Sequence, residues 1–323
     1  MRQTKEKFAD RLVRLVIKQP PWRKIIFAFS IAAFLYVIAI NFSSLQDGLA
    51  AIKDGNILLL LTSLLAIIIT YLTASGVYWA LSDRSLHYLQ MVQVEIAGAF
   101  TSRLLPAGLG GVATNLTYIS KVLKSKTAAT TILALNNLLS IASYFVACLV
   151  VIVVFQEPVS LSHLQVPRIP PWVIISGVVL LVLLLSLVKQ LRHKAGVSWH
   201  TFKRILKGYK ERPSQILLAF CFALGTTTLY LLAFYICCLA LGTPITITQA
   251  VVAFTFGLAG GTVAPTPGGL GGAELGFYSG LFATGISSSE ALSIVLVYRM
   301  LAFWLPLIPG FLMFRHLLKK KVL

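Results

Sequence analysis

Acidic side chains are scarce in this sequence. Ten Asp and Glu stand against 28 Lys and Arg in 323 residues, and the four types together make up 12% of the chain. Soluble domains carry about 25%. With 57% hydrophobic residues and a mean hydropathy of +0.85, that scarcity excludes an ordinary soluble domain and predicts a polytopic membrane protein. Polar segments between the apolar runs are too short for a separate catalytic domain. The five histidines are scattered, with no HxxxH pair. The four cysteines, Cys148, Cys221, Cys237 and Cys238, all sit in apolar runs and read as small packing residues rather than disulfide or metal ligands. No GxxxxGK[ST] occurs, so no ATP site is expected. No cofactor and no metal is expected, and neither is a cleavable signal, because no small-x-small site accompanies the first apolar run from Ile25.

What the chain has in excess is positive charge, +18 overall. A nucleic-acid partner is not expected, because the basic residues gather in loops beside apolar spans, which is a topological pattern. Six stretches are long enough to cross a bilayer, which needs about twenty apolar residues as helix: 25–42, 57–81, 128–155, 172–188, 215–241 and 291–314. Two further apolar stretches are interrupted, 92–114 by Glu95, Arg103, Pro106 and glycines, and 249–285 by "APTPGGLGGAEL". If both enter and leave on one side, 24 of the 28 basic residues fall on the cytoplasmic face, with both termini there. Only Lys53 and Arg168 lie outside, and Arg103 and Arg299 lie at membrane depth.

The interrupted stretches resemble each other. "PAGLGG" at 106–111 aligns without gaps to "PGGLGG" at 267–272, and Thr101 falls on Thr262 in that register. Each half then reads helix, helix, re-entrant element, helix. Three crossings per half invert the second half relative to the first, a transporter pattern. The expected fold is therefore an all-α integral membrane domain of six transmembrane helices plus two re-entrant Gly/Pro-broken elements in an inverted repeat. It spans 1–323 as a cytoplasmic amphipathic segment (1–24), a first half-repeat (25–155), an inverted second half-repeat (172–315) and a basic cytoplasmic tail (316–323). A second amphipathic stretch, "WHTFKRILKGY", reads either as a helix on the anionic leaflet or as an ordinary positive-inside loop.

In lipid every backbone N–H and C=O needs a partner. A broken helix therefore survives only inside protein or along a wet cavity, where its free N–H groups favour an anion. The candidate substrate-binding residues are those of the breaks, Pro106, Gly108, Gly110, Gly111, Pro267, Gly268, Gly269, Gly271 and Gly272, with the charges Arg103, Glu274 and Arg299. A charge at mid-bilayer costs about 2.5–3.5 kcal/mol on the insertion scale, so each needs a partner or a job. Arg103 either offers its fork to a lipid phosphate or snorkels to the interface. Glu274 is either a counter-charge or protonation site, or a structural partner of Arg299. Glu95 and Glu290 are expected at the interfaces. Asn115, Asn136 and Asn137 are expected in interhelical hydrogen bonds.

"RLLPAGLGG", "PTPGGLGGAE" and "YRMLAFWLPLIPG", with the order of spans, resemble the flippase-like membrane domain family. This is the membrane region of lysylphosphatidylglycerol synthases, which also occurs as stand-alone proteins of about this length. The resemblance covers nearly the whole chain. It implies a multi-pass protein of the cytoplasmic membrane that moves polar lipids between leaflets, with Glu274 and Arg299 at motif positions. Many members carry Gly-Glu in the first motif, where this chain has Gly110-Gly111. With no synthase half in the sequence, lysine transfer is not expected. The expected function is transport of a polar or charged lipid, not catalysis. The expected partners are a lipid substrate and the bilayer, with a lipid-modifying enzyme as a candidate. An ion or small-solute transporter, an intramembrane transferase or hydrolase, and a non-transporting scaffold that binds a lipid enzyme are the alternatives.

Overall fold

The structure, a computed structural model, describes residues 55–105, 108–155, 212–264 and 266–323. The expected spans 25–42 and 172–188, both amphipathic stretches and Pro106 lie outside these residues. Within them the chain is helical: α1 (Ile57–Leu81), α2 (Tyr88–Leu104), α3 (Leu109–Leu123), α4 (Lys126–Phe155), α5 (Pro213–Ala240), α6 (Ile247–Val263), α7 (Gly272–Ala283), α8 (Ser288–Arg299) and α9 (Leu307–Lys319). A π-helical turn, Met300–Trp304, joins α8 to α9. Four spans, α1, α4, α5 and the α8–α9 run Ser288–Lys319, are long and apolar enough to cross a membrane. They coincide with four of the stretches expected from hydropathy.

The helix starts follow from local chemistry. Asn56 caps α1 through its side-chain oxygen, which accepts from the N–H groups of Leu58 and Leu59 at 3.0 and 3.3 Å. Thr246 with Gln249 opens α6 as a capping box, and Ser287 with Glu290 opens α8 in the same way. Glu290, expected at an interface, is thus a helix cap. Gly108 precedes α3 in the left-handed region at φ +67°, a conformation that glycine adopts without a Cβ penalty.

α1 and α5 form the most extensive helix pair and run antiparallel along their whole length. At one end the Asn56 N–H donates to the Ala240 carbonyl at 2.8 Å. At the other, Asp83 accepts from Arg212 and Gln215. Between them the Ser63 hydroxyl donates to the Ala233 carbonyl at 2.7 Å, and Thr226 to Thr73 at 2.7 Å. Small side chains at the seam (Ala66, Gly76, Ala219, Ala223) let the two backbones approach, as membrane helix pairs require. Leu58, Leu61, Leu65, Phe145, Leu149 and Ile152 remain exposed on the outer faces, the apolar coat of a protein seated in lipid.

The interrupted stretches are helical hairpins. α2 and α3 fold back on each other where Gly98 meets Gly111 and Thr101 meets Gly110, and α6 and α7 do so where Ala253 meets Gly280 and Gly260 meets Gly272. The first hairpin starts at the Asp83 end of the α1–α5 pair, where Tyr88 donates to the Leu72 carbonyl at 2.8 Å. The second starts at the Ala240 end, and its base is tied by Gln249 donating to the Thr284 carbonyl at 3.0 Å. The hairpins therefore enter from opposite ends of one helix pair.

The ungapped match of the two hexapeptides does not carry through to the tips. α2 ends at Leu104 and α3 opens at Leu109, whereas α6 ends at Val263 and α7 opens only at Gly272. Leu109 already opens a helix, whereas Leu270 lies in a turn. Gly268, Gly269 and Gly271 take positive φ ahead of α7, and Gly108 does so ahead of α3.

The hairpin crossings should tolerate almost no added volume. A Cβ on Gly260 would sit 2.1 Å from the Gly272 carbonyl oxygen, whereas one on Gly225 would meet nothing nearer than 3.6 Å. Gly260→Ala should destabilise by about 1–3 kcal/mol or more, seen as a fall of several degrees in the thermal midpoint by size-exclusion after heating in detergent. Gly225→Ala should leave the midpoint within error of the parent.

Candidate functional site

The two hairpin tips meet. A Cβ on Gly268 would lie 3.3 Å from the Arg103 Cα and 2.4 Å from the Phe303 ring, so the second tip rests against the end of α2 and against the π-helical turn. Gly268 has φ +62° and Gly269 +67°, and a Cβ on Gly269 would press within 2.8 Å of the Gly261 backbone. Only glycine suits both demands at these positions. Gly271, at φ +81°, is the residue before α7.

Glu274 stands in the first turn of α7. One of its oxygens accepts from the Gly271 N–H at 2.8 Å, filling a role usually taken by an N-cap partner, and its charge suits the positive end of the helix. The other accepts from Arg299 Nε at 2.6 Å. The two side chains are 20% and 11% exposed, so the ion pair is largely withdrawn from solvent. The structural partnership weighed from the sequence is present, and it anchors the second tip to the last turn of α8.

Arg103 turns inward, not out to an interface. Its Nη1 donates to Ala99 O, one turn back, and its Nη2 to Ala302 O in the π-helical turn at 2.7 Å. The acceptor is free for a reason written in the sequence. Pro306 lacks the N–H that an α-helix would direct at the carbonyl four residues earlier, and that carbonyl is Ala302. The π-helical turn closes instead through the Leu305 N–H and the Met300 carbonyl at 2.9 Å. Such turns concentrate at functional sites.

Phe303 receives both cations: the Arg299 guanidinium lies 4.1 Å from its centroid and that of Arg103 5.1 Å. Two guanidiniums face one carboxylate, so the cluster carries one surplus positive charge. Arg103 Nε and Arg299 Nη2 are buried without a protein partner, each an omission worth about 1–3 kcal/mol in a folded protein. Gly108, Gly110 and Gly111 serve the first tip differently. Gly110 and Gly111 sit in the α2–α3 crossing, and a Cβ on Gly108 would meet nothing within 4 Å.

A second polar group lies deeper in the first half. Glu95 Oε1 accepts from Asn115 Nδ2 at 2.6 Å, and the Tyr78 hydroxyl accepts from Asn115 at 3.3 Å and Asn136 at 3.0 Å. Asn115 and Asn136 thus bond between helices as expected, while Asn137 is exposed. Glu95 sits inside this network, not at an interface. Phe303, Ala302, Tyr78 and the grouping around Glu95 were not among the residues singled out from the sequence. Pro306 was the one available signal, and it pointed to the Ala302 carbonyl.

The Glu274–Arg299 pair should behave as a unit. Removing one partner of a buried pair typically costs about 3–5 kcal/mol, because a charge is stranded. Glu274→Gln or Arg299→Gln alone should lower the thermal midpoint markedly, and the double substitution should recover part of the loss. Equal, additive losses would contradict the coupling.

Residues 25–310 match the family described as the lysylphosphatidylglycerol synthase TM region. Neither the curated proteins nor the solved structures contain a match. The family is a membrane domain associated with lipid-related function. Helical throughout its described residues, with four helices among them fit to cross a bilayer, and matched over most of its length, the chain is a multi-pass membrane protein that belongs to the lysylphosphatidylglycerol synthase transmembrane-region family.

Proposed function

We propose that the two hairpins are re-entrant elements of an inverted repeat, dipping into the cytoplasmic membrane from opposite faces, and that the chain moves a polar or charged lipid between leaflets. The observation that carries this reading is the pair of unpartnered donors, Arg103 Nε and Arg299 Nη2, where the tips meet. A phosphate headgroup supplies the acceptors they lack, in the forked geometry that guanidinium favours. The surplus of one positive charge suits a phosphodiester, which carries one negative charge. Glu274 holds Arg299 in place and keeps the site from binding the headgroup too tightly to release it. The acyl tails stay in the surrounding lipid.

The antiparallel α1–α5 pair supports the inverted arrangement, since the corresponding second helices of two inverted halves must run in opposite directions. The basic segments 1–24 and 316–323 support a cytoplasmic position for both termini. The chain works without a covalent step, and its substrate and immediate partner is a membrane lipid.

Purified protein in phosphatidylcholine–phosphatidylglycerol vesicles, with a trace of head-labelled fluorescent phosphatidylglycerol, tests this through dithionite quenching of the outer leaflet. Protein should speed the loss of the protected inner-leaflet signal. Arg103→Ala should slow it at least tenfold, and Gly225→Ala should not change it. No protein-dependent exchange of labelled anionic or zwitterionic lipid, or an Arg103→Ala rate equal to the parent's, would contradict the proposal.

A further inference from the structure

The two halves share a hairpin frame but not a core. Where α6 and α7 pack, the centre is aromatic: Phe234, Phe254, Phe277 and Tyr298 pack largely edge to face, with centroids 5.0–5.9 Å apart along most of their contacts. Where α2 and α3 pack, the centre holds a carboxylate. Among the described residues Glu95 has no cationic partner, and Asn115 alone bonds to it. An ionised carboxylate so placed in a membrane protein is costly unless something neutralises it.

The surroundings of Glu95 show what does. α1 presents Tyr71 and Tyr78; α3 presents Asn115 and, further along, Tyr118, which bonds to Gln90 at 3.3 Å. α9 carries Arg315, which lies over the Phe311 ring at 5.5 Å. Arg103, on α2 itself, is turned to the tip. None of these gives Glu95 a counter-charge. Asn115 is 6% exposed, and its Oδ1 is buried with no donor.

Rotating the Asn115 amide by half a turn puts that oxygen where Nδ2 now stands, 2.6 Å from Glu95 Oε1 and 3.3 Å from the Tyr78 hydroxyl. A separation of 2.6 Å is short for N–H···O and ordinary for O–H···O. The orphaned acceptor then receives a proton-bearing carboxyl and the Tyr78 hydroxyl proton, for which the present arrangement offers no acceptor. The amide NH₂ comes to face the Gly98–Gly111 crossing, which backbone carbonyls border.

We propose that Glu95, with Asn115 and Tyr78, is a proton-binding site in the first half, separate from the arginine cluster at the tips. The proton comes from water and adds to the carboxylate, and the amide turns with it. Four helices report the change, because Tyr78, Glu95, Asn115 and Asn136 each come from a different one. A metal cation fits less well, because the Asn136 N–H already points at the Tyr78 oxygen it would need.

Infrared difference spectroscopy of the purified chain in lipid nanodiscs tests this without reference to transport, so its failure is distinguishable from failure of the lipid-transport reading. On going from pH 5 to pH 9, the parent should lose the carbonyl-stretch band of a protonated carboxylic acid shielded from water. Glu95→Gln should lack that band at every pH. Glu95→Asp, which keeps the carboxyl should Gln fail to fold, should show the band with a displaced midpoint. An identical band and midpoint in Glu95→Asp, or no such band in the parent, would overturn the site. Loss of the band at constant pH on replacing potassium by sodium would overturn the proton assignment in favour of a metal ion.

Discussion

The hydrogen bond from Arg103 to the Ala302 carbonyl is the contact on which the middle of this molecule depends. It exists because a proline four residues along removes the carbonyl's helical donor, and because a guanidinium turned into the protein has to find acceptors. One interaction thus settles two debts of the apolar environment. It also joins the tip of the first hairpin to the last span, and Gly268 of the second hairpin packs onto Arg103 and onto Phe303, the neighbour of Ala302. Each tip is held by the other half of the chain, which is how glycine-rich breaks can persist away from water.

The same frame accommodates unlike interiors. Glycines bring backbones together in both hairpins: Gly98 against Gly111 in one, Gly260 against Gly272 in the other. Around the second the core is a knot of aromatic rings with the buried Cys237 and Cys238 beside it, suited to rigidity. Around the first, Tyr78, Glu95, Asn115 and Asn136 bond across four helices. A polar network in low dielectric is sensitive to any change in its proton count. The division places a stiff half next to a responsive one, with the charged cluster at their junction.

Much of this was legible in the sequence, and the physical reasons are plain. Hydropathy located α1, α4, α5 and the last span to within a few residues, because a bilayer demands long apolar helices and little else looks like them. Glycine and proline located both breaks. Glu274 and Arg299 could be paired in advance, because buried charges of opposite sign seek each other. The tips were less legible: from near-identical hexapeptides one helix opens at Leu109 and the other only at Gly272, because Gly268, Gly269 and Gly271 of the second take positive φ and carry the turn past Leu270. Glu95 looked interfacial because its position along the helix says nothing of the tyrosine and asparagines that α1, α3 and α4 bring to it. Phe303 was hidden among other aromatic residues, with only its distance from Arg299, one helical turn, to mark it.

The central claim is that two hairpins enter from opposite sides of the membrane and touch at their tips. Sided labelling tests it most directly, with single cysteines placed at Ser85, by the base of the first hairpin, and at Ser287, by the base of the second, and an impermeant maleimide applied to oriented vesicles against the parent chain as background. The account predicts that the two positions label from opposite faces. Labelling of both from the same face would contradict it.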